Sequence, residues 1–114
     1  MPYIEIKTTK KVNDEKAEII KAAMGKAIEC IPGKNETWLM VAIEDGIRMW
    51  FRGEGSDDCA LVDVCLLGNV DKKGSQNMTE EVCNILENEL GISSERIYVK
   101  YTGYENWGWN KGNF

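Results

Sequence analysis

The feature that most constrains the fold is a strand–helix–strand pattern that occurs twice within 114 residues. In the first copy, residues 2–8 show polar and apolar side chains in partial alternation, which is typical of a strand. Apolar residues then recur at spacings of three and four up to residue 31, which predicts an amphipathic helix capped by Asn13 or Asp14. The apolar run 38–43 predicts a second strand.

The second copy has the same order of elements. Residues 59–67 are nearly all apolar and are followed by Gly68, which predicts a strand buried on both faces. Apolar residues at helical spacing over 78–90 predict a second amphipathic helix, with Thr79 near its start. Residues 96–102 alternate in character and predict the last strand, with successive side chains on opposite faces.

Two β-α-β units in a chain of this length predict one α+β domain over residues 1–114, with a four-stranded sheet and two helices on one face. The other face of such a sheet is uncovered. We therefore expect its apolar residues to pack against further copies of the chain. A monomeric ferredoxin-like binding module is the alternative, and the mass in solution distinguishes the two.

The composition excludes several classes of function. The formal net charge is −5 without a basic cluster, which argues against nucleic-acid binding. The absence of histidine excludes Ser-His-Asp and Cys-His hydrolase mechanisms and most zinc sites. The sequence shows no signal-peptide core and no apolar run of membrane-spanning length. We expect a cytoplasmic protein with free thiols, no metal and no cofactor.

One unusual base remains available. Pro2 follows Met1, and a small second residue normally permits removal of the initiator methionine. The product would have a secondary amine at the start of a strand. A solvent-exposed α-amino group has a pKa of about 7.7–8.0, and an apolar environment or a nearby cation lowers this pKa. A neutral amine near pH 7 is suited to general base catalysis, although a proline at this position usually has no function.

Several segments, in order along the whole chain, resemble the macrophage migration inhibitory factor and dopachrome tautomerase family. The shorter ones are Met1-Pro2, Gly33-Lys34, Cys59-Ala60-Leu61, Leu66-Leu67-Gly68 and Arg96-Ile97-Tyr98. The most specific is the ending Gly108-Trp109-Asn110-Lys111-Gly112-Asn113-Phe114, which is similar to the Gly-Trp-Asn-x-x-x-Phe terminus of the family.

The resemblance implies a homotrimer whose three sheets form a barrel, with active sites at the subunit interfaces. It also implies keto–enol tautomerisation of a small aromatic keto acid such as phenylpyruvate, or of dopachrome. Carried over by position, Pro2 is the catalytic base, Lys34 binds the substrate carboxylate or enolate, and the Leu67 N–H donates to the same end. The neighbouring subunit supplies Tyr98. The other substrate-binding positions are Tyr3, Trp38, Trp109 and Phe114.

Two positions depart from the family pattern. Lys100 replaces an asparagine on the same strand face as Tyr98. We expect it to add positive potential at the mouth of the pocket and to lower the pKa of Pro2 further. Trp107 replaces a smaller aliphatic residue and is expected to narrow the pocket. The family's Cys-x-x-Cys is missing, which argues against a thiol redox activity.

The sequence leaves a second function open. In this alternative the protein is a cytokine-like signal that is secreted without a signal peptide and binds a protein receptor, and its tautomerase pocket is secondary. Structural roles are also open for single residues. Lys34 could interact with the C-terminal dipole of the first helix, and Tyr98 and Trp109 could be ordinary packing residues.

Overall fold

The computed structural model describes residues 1–114 and confirms the predicted α+β fold. Its strands and helices are β1 (Pro2–Thr8), α1 (Asp14–Ala27), β2 (Met40–Glu44), β3 (Ala60–Leu67), α2 (Lys72–Leu90), β4 (Ile97–Tyr104), β5 (Gly108–Trp109) and β6 (Gly112–Asn113). The four-stranded sheet has the order β2-β1-β3-β4. β1 is parallel to β2 and β3 is parallel to β4, whereas β1 and β3 are antiparallel. The sheet therefore joins two β-α-β units along its central strand pair.

Both helices pack on one face of this sheet. Every second residue of β1 and β3 is buried against them, which gives the core a regular alternating lining. The core includes Ile4, Ile6, Val62, Val64 and Leu66 from the sheet and Ile20, Met24, Met78, Val82 and Leu86 from the helices. Burial of these aliphatic side chains is the main force that holds the helices on the sheet.

Side-chain caps fix where the two helices begin. Asn13 accepts a hydrogen bond from a backbone N–H in the first turn of α1 at 2.8 Å, as one of the two predicted caps. α2 is capped by Asp71, whose carboxylate accepts the Gly74 N–H at 2.7 Å. The prediction that α2 begins near Thr79 is therefore wrong. Its first turns are polar, so they show no apolar periodicity in the sequence.

β2 begins at Met40, two residues later than predicted. The preceding residues Glu36–Trp38 form a 3₁₀ turn, whose start is capped by the Asn35 side chain through the Thr37 N–H at 2.9 Å. Trp38 therefore lies outside the sheet, with about half of its surface exposed.

The C-terminal tail forms a hairpin that the sequence analysis does not predict. β5 and β6 pair across a two-residue turn, in which Asn110 and Lys111 have φ values of 50° and 72°. Positive φ at both positions is the geometry of a primed hairpin turn, which Asn tolerates better than most residues.

The sheet face opposite the helices is polar at its centre. Glu5, Asp63 and Lys100 lie in one row across β1, β3 and β4, with Lys7 beside them on β1. The expectation of a β3 strand buried on both faces is wrong for the single chain, because the helices cover one side and the outward positions of β3 are partly exposed. The open face carries apolar residues as expected, such as Leu61 and Met40, but charged residues lie between them. Apart from Ile19 on α1, the large exposed apolar side chains lie near the sheet ends. They are Trp38, Met40, Tyr104, Trp109 and Phe114 at one end, and Trp50 and Tyr98 at the other.

Three further features bear on function. The four cysteines are free thiols, of which Cys59 alone is buried. No helix combines the length and the apolar character needed to cross a bilayer. No three Cys, Asp or Glu side chains are grouped so that they could hold a metal ion.

Candidate active site

A cavity of about 630 Å³ opens at the end of the sheet where β1 begins. Its walls come from the start of β1, the 3₁₀ turn before β2 and the residues around β5. It brings together five residues that the sequence analysis places in the site: Pro2, Tyr3, Trp38, Trp107 and Trp109. A cavity of this size accommodates a small aromatic molecule.

Trp109 lines this cavity and contacts two other aromatic rings, of which Trp38 also lines the cavity and Phe114 does not. Its ring centroid lies 5.0 Å from that of Trp38 with an interplanar angle of 85°, and 6.5 Å from that of Phe114 at 15°. Both geometries are favourable for aromatic rings. Trp107 packs edge-on against Tyr104 at 5.8 Å. The tail aromatics and Trp38, which are far apart in sequence, therefore form one surface.

Two hydrogen-bond donors lie next to the cavity, at the end of β3. The Leu67 N–H donates to the Met1 carbonyl oxygen at 3.1 Å, and Lys34 Nζ donates to the Leu67 carbonyl oxygen at 2.9 Å. Lys34 and Leu67 also line a second cavity of about 470 Å³. The Met1 carbonyl occupies the position in which an acceptor oxygen of a ligand would meet the Leu67 N–H. Such donors stabilise negative charge that develops on a bound oxygen.

The Met1 α-amine shows how this environment acts on an amine. Its pKa lies below the ordinary value, first because burial disfavours the charged form. The nearby Lys34 ammonium lowers this pKa further, through its charge and through a hydrogen bond. Pro2 is the next residue, buried and paired with Leu66 of β3. The start of β1 is therefore a place where a neutral amine is favoured.

Tyr98 does not reach this cavity within its own chain. It pairs with Leu61 of β3, whereas Pro2 pairs with Leu66. Five residues of strand separate the two positions, which is about 17 Å. This distance exceeds the reach of a tyrosine side chain. If Tyr98 contributes to a site with Pro2, it does so from another copy of the chain.

Lys100 also lies away from the cavity, and it has a partner that the sequence analysis does not predict. Its ammonium is 3.5 Å from the Asp63 carboxylate, its register partner on β3. The pair is partly exposed, so its contribution to stability is small. The Asp63 charge offsets part of the positive potential expected from Lys100.

Three cavity-lining residues are not singled out by the sequence: Thr37, Leu39 and Met40. Met40 is 67% exposed and pairs with Tyr3, so both side chains stand on the open sheet face. Strand alternation could have identified Met40 if the start of β2 had been placed correctly. The signal was hidden because the apolar run begins at Trp38, inside the preceding turn.

Comparison with known proteins agrees with this architecture. The family described as Macrophage migration inhibitory factor (MIF) matches residues 1–113. The macrophage migration inhibitory factor of Xenopus laevis is 27% identical over 116 residues, with 100% of this chain and 99% of the relative covered. That of Rattus norvegicus is 31% identical over 84 residues, covering 72% of each chain. The crystal structure of Leishmania major MIF2 superposes with a TM-score of 0.92 at 31% identity, covering 100% of this chain and 97% of the other. The protein belongs to the macrophage migration inhibitory factor family.

Proposed function

We propose that this protein is a keto–enol tautomerase that acts on phenylpyruvate-like aromatic keto acids or on dopachrome, with the amine of Pro2 as the general base after removal of Met1. Membership of the family supports a tautomerase-type or MIF-like function. One observation carries the proposal: an aromatic cavity at the start of β1, where burial and the Lys34 ammonium lower the pKa of a chain-end amine.

The proton transfer uses Pro2 and the aromatic residues of this cavity together with two donors that lie next to it, Lys34 and the Leu67 N–H. The neutral Pro2 amine removes a proton from the carbon next to the substrate carbonyl, and the C–H electron pair becomes the C=C bond of the enolate. The protonated Pro2 amine then gives this proton to the enolate oxygen, which yields the enol and restores the neutral amine. Lys34 and the Leu67 N–H stabilise the negative charge on oxygen, and Trp38 and Trp109 hold the aryl ring.

Removal of Met1 serves two purposes in this proposal. While Met1 is attached, the Pro2 nitrogen is an amide and has no basic lone pair. The Met1 carbonyl oxygen also occupies the Leu67 N–H, at 3.1 Å. Cleavage would therefore create the base and free a donor for the substrate oxygen in one step.

We propose that the active form is a homotrimer. Exposed apolar side chains lie near both ends of the sheet, with Trp109 and Met40 at the Pro2 end and Tyr98 and Trp50 at the other. Contact between unlike ends of successive copies is a heterologous interface, which closes into a ring when the rotation permits. Such a ring brings Tyr98, and with it Lys100, towards the Pro2 cavity of the next copy.

The site favours catalysis over the alternative of a cytokine-like signal with a secondary pocket. A receptor-binding surface does not need an aromatic cavity with a cation beside it and an environment that keeps an amine neutral. These three properties are what proton abstraction next to a carbonyl requires.

The decisive experiment follows the ultraviolet decay of enol phenylpyruvate. It compares the processed protein, the variant Pro2→Gly and a form that retains Met1, with mass spectrometry to verify each N-terminus. We expect the two altered forms to lose about 10²- to 10⁴-fold in rate, the usual contribution of a positioned base. Equal rates in all three would exclude Pro2 as the base.

A further inference from the structure

At the sheet end opposite Pro2, two arginines and two aromatic rings form one cluster around Tyr98. The Phe51 ring lies 5.2 Å from the Tyr98 ring with an interplanar angle of 70°. The guanidinium carbons of Arg52 and Arg96 lie 5.3 Å and 5.5 Å from the centroid of the Phe51 ring. These distances are within the range of cation–π contacts, so the cluster orders both guanidinium groups.

The two arginines differ in what else they bind. Arg96 donates hydrogen bonds to three backbone carbonyl oxygens of the adjoining loop, those of Glu54, Asp57 and Asp58, at 2.9–3.2 Å. Its donors hold that loop in place. The Arg52 side chain is exposed. Its guanidinium has no carboxylate within ion-pair distance and makes no hydrogen bond. Its guanidinium is therefore the one in this cluster that is available to a ligand.

The backbone presents Arg52 in a fixed conformation. Phe51 and Glu54 exchange two backbone hydrogen bonds, at 3.1 Å and 3.0 Å, which close a tight turn. Arg52 has a φ of 56° within this turn. The next residue, Gly53, has a φ of 75°, so the two residues have the geometry of a primed hairpin turn, as in the tail. The turn holds an unpaired cation beside Tyr98.

We infer that Arg52 binds a second anionic group of the substrate, in the cavity of the neighbouring copy that Tyr98 enters. This rests on the proposed function, because Tyr98 meets Pro2 only between copies. Lys34 then holds the keto acid end and Arg52 the opposite end of the substrate. The matching substrate is an aryl keto acid that carries a carboxylate on its ring, since a guanidinium recognises a carboxylate through two parallel hydrogen bonds.

The test compares phenylpyruvate with 4-carboxyphenylpyruvate as substrates for the wild type, Arg52→Gln and Arg52→Lys. Arg48→Gln is the matched control, because Arg48 is an exposed arginine four residues before Arg52 in the sequence and takes no part in the cluster. We expect Arg52→Gln to raise KM for the carboxylated substrate about 10- to 100-fold, as for loss of a charged hydrogen bond. Its kcat, and KM for phenylpyruvate, should stay unchanged. Arg52→Lys should lie between.

Mixed oligomers of Arg52→Gln and Pro2→Gly subunits test whether Arg52 acts between copies. Neither variant alone has a site with both an intact Pro2 and an intact Arg52. In mixed oligomers, a site between unlike subunits can have both, so we expect part of the activity on the carboxylated substrate to show the wild-type KM. Recovery of the Arg52→Gln KM alone, or an equal change in KM for both substrates, would overturn the inference and leave the tautomerase intact. A wild type inactive on both substrates would overturn the proposed function itself.

Discussion

The N–H of Leu67 donates to the carbonyl oxygen of Met1 at 3.1 Å. This bond ties the first residue of the chain to the end of β3. It also holds the Met1 α-amine beside Lys34, whose own Nζ donates to the Leu67 carbonyl oxygen at 2.9 Å. One strand end therefore contacts both the chain terminus and the cation that lowers the pKa of an amine there.

Substitution of Lys34 by glutamine tests the cation. A base acts in its neutral form, so a lowered pKa keeps activity down to lower pH. Lys34→Gln removes a charge that lowers the amine pKa, and we expect the acidic limb of kcat/KM to move to higher pH. Lys26→Gln, on an exposed lysine at the end of α1, is the control. The same acidic limb in all three proteins would contradict this account of the site.

Substitutions of Lys100 and Asp63 are expected to shift the pH profile in opposite directions. Lys100→Asn leaves the Asp63 carboxylate without its partner at 3.5 Å, so the acidic limb should move to higher pH. Asp63→Asn leaves the ammonium unpaired and should move the limb to lower pH. Because the pair is partly exposed, both shifts should shrink in high salt. An unshifted limb in Lys100→Asn would refute the expected effect of Lys100 on Pro2.

The aromatic wall can be tested through substrate size. Trp109→Ala removes the ring that contacts Trp38 at 5.0 Å and Phe114 at 6.5 Å. We expect KM for phenylpyruvate to rise about 10-fold or more, given the apolar area of an indole, while turnover of an aliphatic keto acid changes little. Trp109→Phe should be close to wild type. An equal loss of activity on phenylpyruvate and on the aliphatic keto acid would instead indicate a structural role for Trp109.

The packing of α2 against the segment that leads to Lys34 can be tested through Gly74. A Cβ at this position would lie 2.6 Å from the Cys30 backbone carbonyl oxygen, so the helix must shift. Alanine normally stabilises a helix interior relative to glycine, but here we expect Gly74→Ala to destabilise the fold by about 1–3 kcal/mol. Gly112→Ala, which has open space around its Cβ, is the control in urea unfolding. Equal urea midpoints for Gly74→Ala and the wild type would contradict the close contact between position 74 and the Cys30 carbonyl oxygen.

The elements that the sequence predicts correctly are those with strong periodicity. The alternation of β1 and β4 and the helical spacing around Met24 and Val82 correspond to faces that the fold buries. The start of α2 is not predicted, because its first turns bury Gly74 in place of an apolar side chain. Local patterns also carry no information about strand register.

Most features of the site that the sequence does not predict depend on strand register. It places Lys100 opposite Asp63 and separates Tyr98 from Pro2 by five residues of strand. The tail hairpin escapes prediction because two-residue strands are too short to show alternation. The family resemblance supplies the identity of the pocket residues, whereas the structure supplies the contacts between them, such as that of Trp109 with Trp38.

The most direct test of the account is a titration of the Pro2 nitrogen by NMR, in processed protein labelled with ¹⁵N-proline. Pro32 is the only other proline, and its nitrogen is an amide that does not titrate. We predict that the Pro2 signal titrates with a pKa below the ordinary range of about 7.7–8.0, and that Lys34→Gln raises this pKa. A pKa within or above that range in the wild type would contradict the claim that this site holds a neutral amine.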